Sequence, residues 1–319
     1  MDKIEIYALK ALRRLYSKCF ASKAVGYDWG ITDPDKASEL IYNLLASGKP
    51  CMIARYGSTE MFAITNYLGV TAKHHSAWKY IQGKQFAWWW ENNVKDQMTR
   101  WSGFFPSTEE NLMKFGEMMV EDSKQVDILG SWLPDEERLK TIFDLQYYTI
   151  LLKNLEPFWV NQPWSRYLEG KRVVVVHPFA ETIKYQYANC KDVIFENPLV
   201  LPCFASLRVV KAVQSLGGNS DFSNWFEALD YMKKEVDKED YDVCLIGCGA
   251  YGFPLAAYVK RTGKQAVHLG GALQLLFGIR GKRWDNMEDY KYLVNRCWTR
   301  PKEDETPQVK DNVENGCYW

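Results

Sequence analysis

Residues 243–261 read VCLIGCGAYGFPLAAYVKR. Val243 to Ile246 is a short apolar run of the kind that forms a strand covered on both faces, and it opens directly into Gly247, Cys248, Gly249, Ala250, Tyr251 and Gly252, a literal G-x-G-x-x-G. Pro254 to Arg261 continues with helical spacing until Gly263 stops it. Strand, glycine turn and helix in this order open a βαβ unit and predict a phosphate cradle at the end of a parallel strand. Glycines let the backbone approach a diphosphate, while the free N–H groups and positive dipole end of the helix attract the anion. A glycine turn needed only for packing is the competing account, because this motif is weak by itself.

Downstream, Ala266 to Leu269 predicts a last strand, with His268, Gly270, Gly271 and Gln274 at its end. A dinucleotide-dependent oxidoreductase would carry an acid here to hold a ribose. None is present, so an NAD(P) enzyme remains only as the alternative. Arg280, Lys282 and Arg283 follow, basic groups that either neutralise a diphosphate or form a solvated surface run.

Upstream, Val173 to Val176 is β-branched throughout and predicts a central strand that delivers His177 and Glu181 to the same sheet edge. Acid–base work or a phosphate contact suits them, and a histidine bonded to backbone is the plain alternative. Cys51 to Ala54 predicts another strand, turning through Gly57 to Thr59 into a helix carrying Met61, Ile64 and Leu68. Arg55, Gly57, Ser58 and Glu60 then lie at the ligand edge. Glu60 there is a base or a metal ligand, unless Ser58 simply caps the helix and Glu60 complements its dipole.

The remaining pattern alternates: a helix opened by Asp33 and Pro34, a strand over Val126 to Leu129, a helix from Leu139 to Leu152, a strand over Asp192 to Phe195 and a helix from Phe222 to Val236. The expectation is an α/β fold with a Rossmann-like, mostly parallel sheet and helices on both faces. One catalytic domain spans 31–300, with an aromatic-rich helical insertion at about 74–106 holding Trp88, Trp89 and Trp90. Residues 301–319 form a charged tail expected to lie mostly on the surface, with docking of Cys317, Tyr318 and Trp319 as the alternative.

Composition sets outer limits. The 319 residues suit about two domains or one large α/β unit. Lys plus Arg and Asp plus Glu both total 40, which argues against general nucleic-acid binding. Hydrophobic residues at 47% and charged residues at 25% exclude a disordered scaffold. Aromatics at 15% suit sugar rings and bases as well as cores. The 8 Cys form no CxxC pair and no zinc spacing, so buried thiols are expected. There is no apolar run of roughly 18 residues and no secretory signal, so the cytoplasm is the expected compartment.

Residues 1–30 are read as an amphipathic helix and its connection. Ile4, Ala8, Leu12, Leu15 and Cys19 form a stripe, and Lys3, Lys10, Arg13, Arg14 and Lys18 outnumber Asp2 and Glu5. Weak peripheral contact of residues 1–20 with the inner face of the cytoplasmic membrane is expected, against packing on the protein's own core or a second subunit. The sequence does not fix an oligomeric state.

Taken together, IARYGSTE (53–60), VVVVHPFAETI (173–183), DVCLIGCGAYGFPLAAYVKRTGK (242–264), HLGGALQLLFGIRGKRW (268–284) and the terminal CYW resemble the GT-D fold glycosyltransferases of bacterial polysaccharide and glycoprotein-glycan biosynthesis. The resemblance runs from about Cys51 to the end of the chain. It implies a nucleotide-sugar donor, typically a UDP-sugar, and a glycan or lipid-linked acceptor. It also implies that Arg55, Gly57, Ser58, Gly247, Gly249, Ala250, Tyr251, Gly252, His268, Gly270, Gly271, Gln274, Arg280, Lys282 and Arg283 hold the donor, with Glu60, His177 and Glu181 catalytic. The hallmark of these enzymes is a D-x-E tied to a divalent metal such as manganese. Here Glu60 matches the Glu, and Ser58 stands where Asp is expected. A hydroxyl is a poorer ligand for a hard cation than a carboxylate. Three outcomes follow: Mn2+ or Mg2+ held weakly by Glu60 and the donor phosphates, metal-free transfer on the basic residues, or a non-catalytic component of a glycan-assembly complex.

Overall fold

The four consecutive valines show how the molecule is layered. Val173 and Val175 enter one hydrophobic core, Val174 and Val176 another, and all four are buried. Successive strand side chains point to opposite faces, so a strand with no polar position must be covered on both. At about 1.5–3 kcal/mol for each fully buried valine, this one strand anchors both layers.

The computed structural model describes residues 2–20, 27–215, 220–307 and 316–319. In chain order the elements are α1 (Lys3–Cys19), α2 (Pro34–Ala46), β1 (Cys51–Ala54), α3 (Ser58–Thr71), α4 (Ala77–Ile81), α5 (Asn92–Arg100), α6 (Glu109–Ser123), β2 (Ile128–Ser131), α7 (Asp135–Phe143), β3 (Tyr148–Leu151), β4 (Arg172–His177), α8 (Ala180–Ile194), β5 (Ser206–Lys211), α9 (Trp225–Asp237), β6 (Val243–Ile246), α10 (Gly252–Arg261), β7 (Gln265–His268), α11 (Leu273–Leu276), α12 (Lys282–Asp285) and α13 (Glu288–Lys291). Among the described residues, seven strands form one sheet in the order β3-β2-β1-β7-β6-β4-β5, every pairing parallel. The fold is α/β, with helices on both faces. α3, α5, α6, α9 and α10 pack on one face, α2, α8 and α11 on the other.

Three expectations about these elements need correction. The valine strand β4 is doubly covered but second from the sheet edge, and β7 holds the middle. The helix expected over Leu139–Leu152 ends at Phe143, with Asp144 in the left-handed conformation at φ 48°, and the chain then forms edge strand β3. The strand expected at Asp192–Phe195 is mostly the last turn of α8. The missing edge strand is β5, which starts eleven residues beyond Phe195. Both missed strands are edges, with a single buried position each, Ile150 and Val210.

The aromatic insertion is only partly helical. Trp88, Trp89 and Trp90 lie in an irregular stretch between α4 and α5, all half-buried. Trp88 stacks on His75 at 5.3 Å and meets Tyr80 and Trp89 edge-on. Asn66 of α3 holds the stretch, donating to Ala87 O and Trp89 O and accepting from Glu91 N. Residues 308–315 of the tail lie outside the described residues. Those on either side dock against the body: Glu305 is buried, and Gln274 Nε2 donates to Tyr318 O at 3.1 Å.

Candidate active site

The helices that follow neighbouring strands alternate between faces. α3 after β1 and α10 after β6 enter one core, while α11 after β7 and α8 after β4 enter the other. The chain therefore leaves adjacent strand ends in opposite directions, and a crevice opens at the carboxyl edge, the place where open α/β sheets bind ligands. A cleft occupies it. Arg55 and Gly57 to Glu60 come from β1, His177 to Phe179 from β4, Gly247 to Tyr251 from β6, and His268, Gly270 and Gly271 from β7. Trp101, Trp132, Ser215, Gln274, Arg283, Tyr318 and Trp319 complete its walls.

The three glycines of the β6 turn have separate tasks. Gly249 has φ +59°, and a side chain built on it would meet nothing within 4 Å, so it faces open cleft in a conformation that favours glycine. Gly247 lets strand ends approach, since a Cβ there would stand 2.7 Å from Gly270 O and 2.9 Å from His177 Cδ2. Gly252 makes room for the His268 ring. Tyr251 braces the turn from behind: its ring stacks on Trp225 at 4.7 Å, and its hydroxyl shares a 2.6 Å hydrogen bond with Ser215. No side chain caps α10. The same holds for α3, whose N-cap is Gly57. Ser58 is therefore not the expected cap; it sits exposed at the cleft as the first residue of the helix.

Glu60, in the first turn of α3, is the one acid among the described residues lining the cleft. Its carboxylate folds back over Gly57, where any Cβ would collide with Oε2. Arg55 lies across Gly270 with its guanidinium over the Trp132 ring at 5.0 Å, and Trp132 Nε1 donates to Tyr56 O at 2.9 Å. Burial pushes the Arg55 pKa down, opposed by Tyr318, Glu60 and Glu136. No group of three or more His, Cys, Asp or Glu gathers among the described residues. One carboxylate beside a guanidinium and a hydroxyl is a donor set that does not fit a divalent cation held by the protein alone.

Both cleft histidines are neutral, with opposite tautomers. Phe179 N donates to His177 Nδ1 at 3.0 Å, which leaves the ring proton on Nε2, and burial pushes the pKa down to about 3. His177 is thus a hydrogen-bond donor, not a base. His268 Nδ1 lies 3.2 Å from Ile246 O, an acceptor only, so Nδ1 carries the proton. Burial first and Arg55 second push its pKa down to about 3.

Four of the expected residues fall outside the cleft lining. Gly252, the first residue of α10, is buried against the His268 ring. Glu181 is exposed and paired with Lys184 at 2.7 Å. Arg280 lines a separate pocket with Trp284, Tyr290 and Trp298, and Lys282 is exposed on α12. Of the basic trio only Arg283 lines the cleft, 4.8 Å over the Tyr318 ring. Gln274 does line it, with its amide spent on Ile279 O and Tyr318 O. Sequence reasoning missed Trp101, Trp132, Ser215 and the buried Glu305. Trp132 had a signal, because it follows β2 as Arg55 follows β1; placing that strand two residues early hid it. Glu305 had none. Its carboxylate accepts from Glu181 N at 2.6 Å, Thr182 N at 3.2 Å and the Thr182 hydroxyl, so it satisfies the start of α8.

Fold and cleft define a doubly wound α/β protein with a crevice at the carboxyl edge of its sheet. No family model matches the chain. No curated protein matches it either. Among solved structures, the chain is similar to one described as a new glycosyltransferase (DUF1792) from Streptococcus sanguinis, at 10% identity and TM-score 0.42, covering 88% of this chain and 96% of that one.

Proposed function

We propose that this protein is a glycosyltransferase that moves a sugar from a nucleoside diphosphate donor, a UDP-sugar foremost, to a hydroxyl of a glycan or lipid-linked acceptor. One observation carries the reading: the cleft at the switch point is lined, among the described residues, by a single carboxylate, which is buried, together with two helix starts without side-chain caps and two guanidinium groups. The open N–H groups around Gly249 and at the start of α3 suit the diphosphate oxygens. As the bond between the sugar's anomeric carbon and the diphosphate breaks, its electron pair passes to the diphosphate. Arg55 and Arg283 balance that charge, stabilisation made strongest in the transition state. The acceptor oxygen forms the new bond and gives its proton to the Glu60 carboxylate. His177 Nε2–H donates to an oxygen of donor or acceptor, and Trp101, Trp132 and Trp319 offer faces to sugar or base. These residues carry every step without a metal.

The test is turnover and binding with purified protein. UDP release from UDP-sugars on adding acceptor, persisting in EDTA, supports the reading. Calorimetric binding of NAD(P) with none of any UDP-sugar overturns it in favour of an oxidoreductase. UDP-sugar binding without transfer to any acceptor leaves a non-catalytic binding protein.

A further inference from the structure

α1 packs on the aromatic insertion in a way its sequence did not disclose. Its half-buried positions are Ile6, Leu9, Lys10, Arg13 and Tyr16, at helical spacing on one side. Lys10 pairs with Glu91, the Arg13 guanidinium lies 4.7 Å over the Tyr80 ring, and Tyr16 meets Trp78 at 5.7 Å. The predicted apolar stripe is the opposite side. Ile4 is 75% exposed and Leu15 59%, and Ala8, Ala11, Leu12 and Cys19 are exposed beside them. The helix thus spends its basic face partly on the protein and turns its greasy face to solvent, the reverse of an ordinary surface helix.

The surroundings of this face are unusual in a chain that is neutral overall. Lys3, Arg14 and Lys18 are exposed along one edge of the stripe, with exposed Glu5 at the other. The segment beneath α1 adds exposed Lys73, Lys79 and Lys84, and residues 61–90 contain no Asp or Glu at all. Two large rings beside Tyr16 keep exposed edges: Phe20, which stacks on Tyr16, is 64% exposed, and Trp78, which meets Tyr16 edge-on, is 60% exposed. The aliphatic stripe, the net basic charge of α1 and residues 61–90, and the exposed aromatic edges match the charge, grease and interfacial depth of an anionic lipid leaflet.

We propose that this face, the outer side of α1 together with residues 73–84, binds the surface of a bilayer carrying anionic lipids, with α1 lying in the plane of the headgroups. A second copy of the chain would cover the stripe and leave Lys73, Lys79 and Lys84 without an opposite charge. Duplex or single-stranded nucleic acid would answer the charge and leave the stripe in water. No helix among the described residues is long and apolar enough to cross a membrane, so the attachment is peripheral. This inference does not depend on the transfer reaction.

Co-sedimentation of the full chain with phosphatidylcholine vesicles, with and without phosphatidylglycerol, tests it. Binding is expected only with the anionic lipid and weakens as salt rises. Lys3→Gln, Arg14→Gln and Lys18→Gln together are expected to lower partitioning roughly 100-fold. Leu12→Gln with Leu15→Gln lowers it at every salt concentration. All five positions are exposed, and unchanged melting of both variants establishes that they fold. Acyl-chain bromination should quench tryptophan emission in wild type more than in Trp78→Phe. Equal recovery in the supernatant with both vesicle types overturns the proposal. So does a dimer that Leu12→Gln with Leu15→Gln dissolves without affecting vesicle binding, or salt-sensitive oligonucleotide binding in a protein that ignores vesicles.

Discussion

Two strand ends stand side by side at the switch point, and the chain finishes them differently. After β4, the first amides of α8 are satisfied by the buried carboxylate of Glu305, brought from the far end of the sequence. After β6, the start of α10 receives no side chain, and Gly249 leaves its approach open. In both, a parallel strand leads to a helix with its positive end at the sheet edge, β4 into α8 after Phe179 and β6 into α10 through a 3-10 turn over Gly249–Tyr251. The occupant differs: a carboxylate of the chain's own in one case, solvent-accessible space in the other. A helix start at the carboxyl edge becomes a ligand site only where the protein has not already filled it.

The sharpest way to break this comparison is to neutralise the acid that shares the cleft with the open ends. Glu60→Gln keeps the shape of the side chain, so transfer is expected to fall roughly 10²–10⁴-fold while donor affinity stays within a few-fold. UDP release and calorimetry measure the two separately, and wild-type turnover would remove Glu60 from the reaction.

Filling the open end comes next. Gly249→Val places a branched side chain at φ +59° over the space kept for the diphosphate. Donor affinity is expected to drop by at least about tenfold, near 1.4 kcal/mol, with backbone strain of about 1–2 kcal/mol also lowering the melting temperature. Gly249→Ala shares most of the strain and less of the obstruction, so comparing the two variants by calorimetry and melting separates the effects.

Emptying the filled end tests the other half. Glu305→Gln removes the charge that meets the α8 amides, and a stability loss of about 1–3 kcal/mol is expected in denaturant titration with UDP affinity unaltered. A variant as stable as wild type would mean that the two helix starts do not differ in the way argued.

The smallest effect is read near neutral pH. His177 and His268 hold folded-state pKa values pushed down to about 3, against about 6.5 in an unfolded chain. Below pH 6.5 the unfolded state takes up protons that the folded state refuses. Their contribution is therefore complete above about pH 6.5 and is lost as pH falls toward 3, by at most about 1.4 kcal/mol per pH unit for each ring. His177→Gln should flatten the stability profile by one proton between pH 6.5 and 5, and the activity profile of the wild type should show no limb from this histidine.

What the sequence disclosed and what it hid divide along a physical line. β1, β4 and β6 were legible to within a residue because doubly buried strands have no polar positions. Gly247 to Gly252, Arg55 and His177 were legible because each ends or directly follows such a strand. β3 and β5 were not, since an edge strand with one buried residue leaves no periodic trace. Tyr318 and Trp319 were visible as apolar residues in a charged tail. Glu305 was invisible because it works through a contact 123 residues away, and nothing local marks one acid among its neighbours. The orientation of α1 was hidden for the opposite reason: its pattern offered two faces, and only the packed structure decides which one is covered.

The place of β7 in the sheet bears on how the chain is made. β1 emerges early, yet one of its two neighbours, β7, follows only after six other strands. Until Gln265–His268 is synthesised, β1 and β6 each present a row of unpaired, apolar backbone to other chains. A polypeptide stopped short of residue 265 would therefore retain most of the residues of the fold and none of its closure, and would be expected to end as aggregate. The same late strand joins the β1 side of the cleft to the β4–β6 side, so the two halves of the sheet and the two halves of the cleft come together in one step.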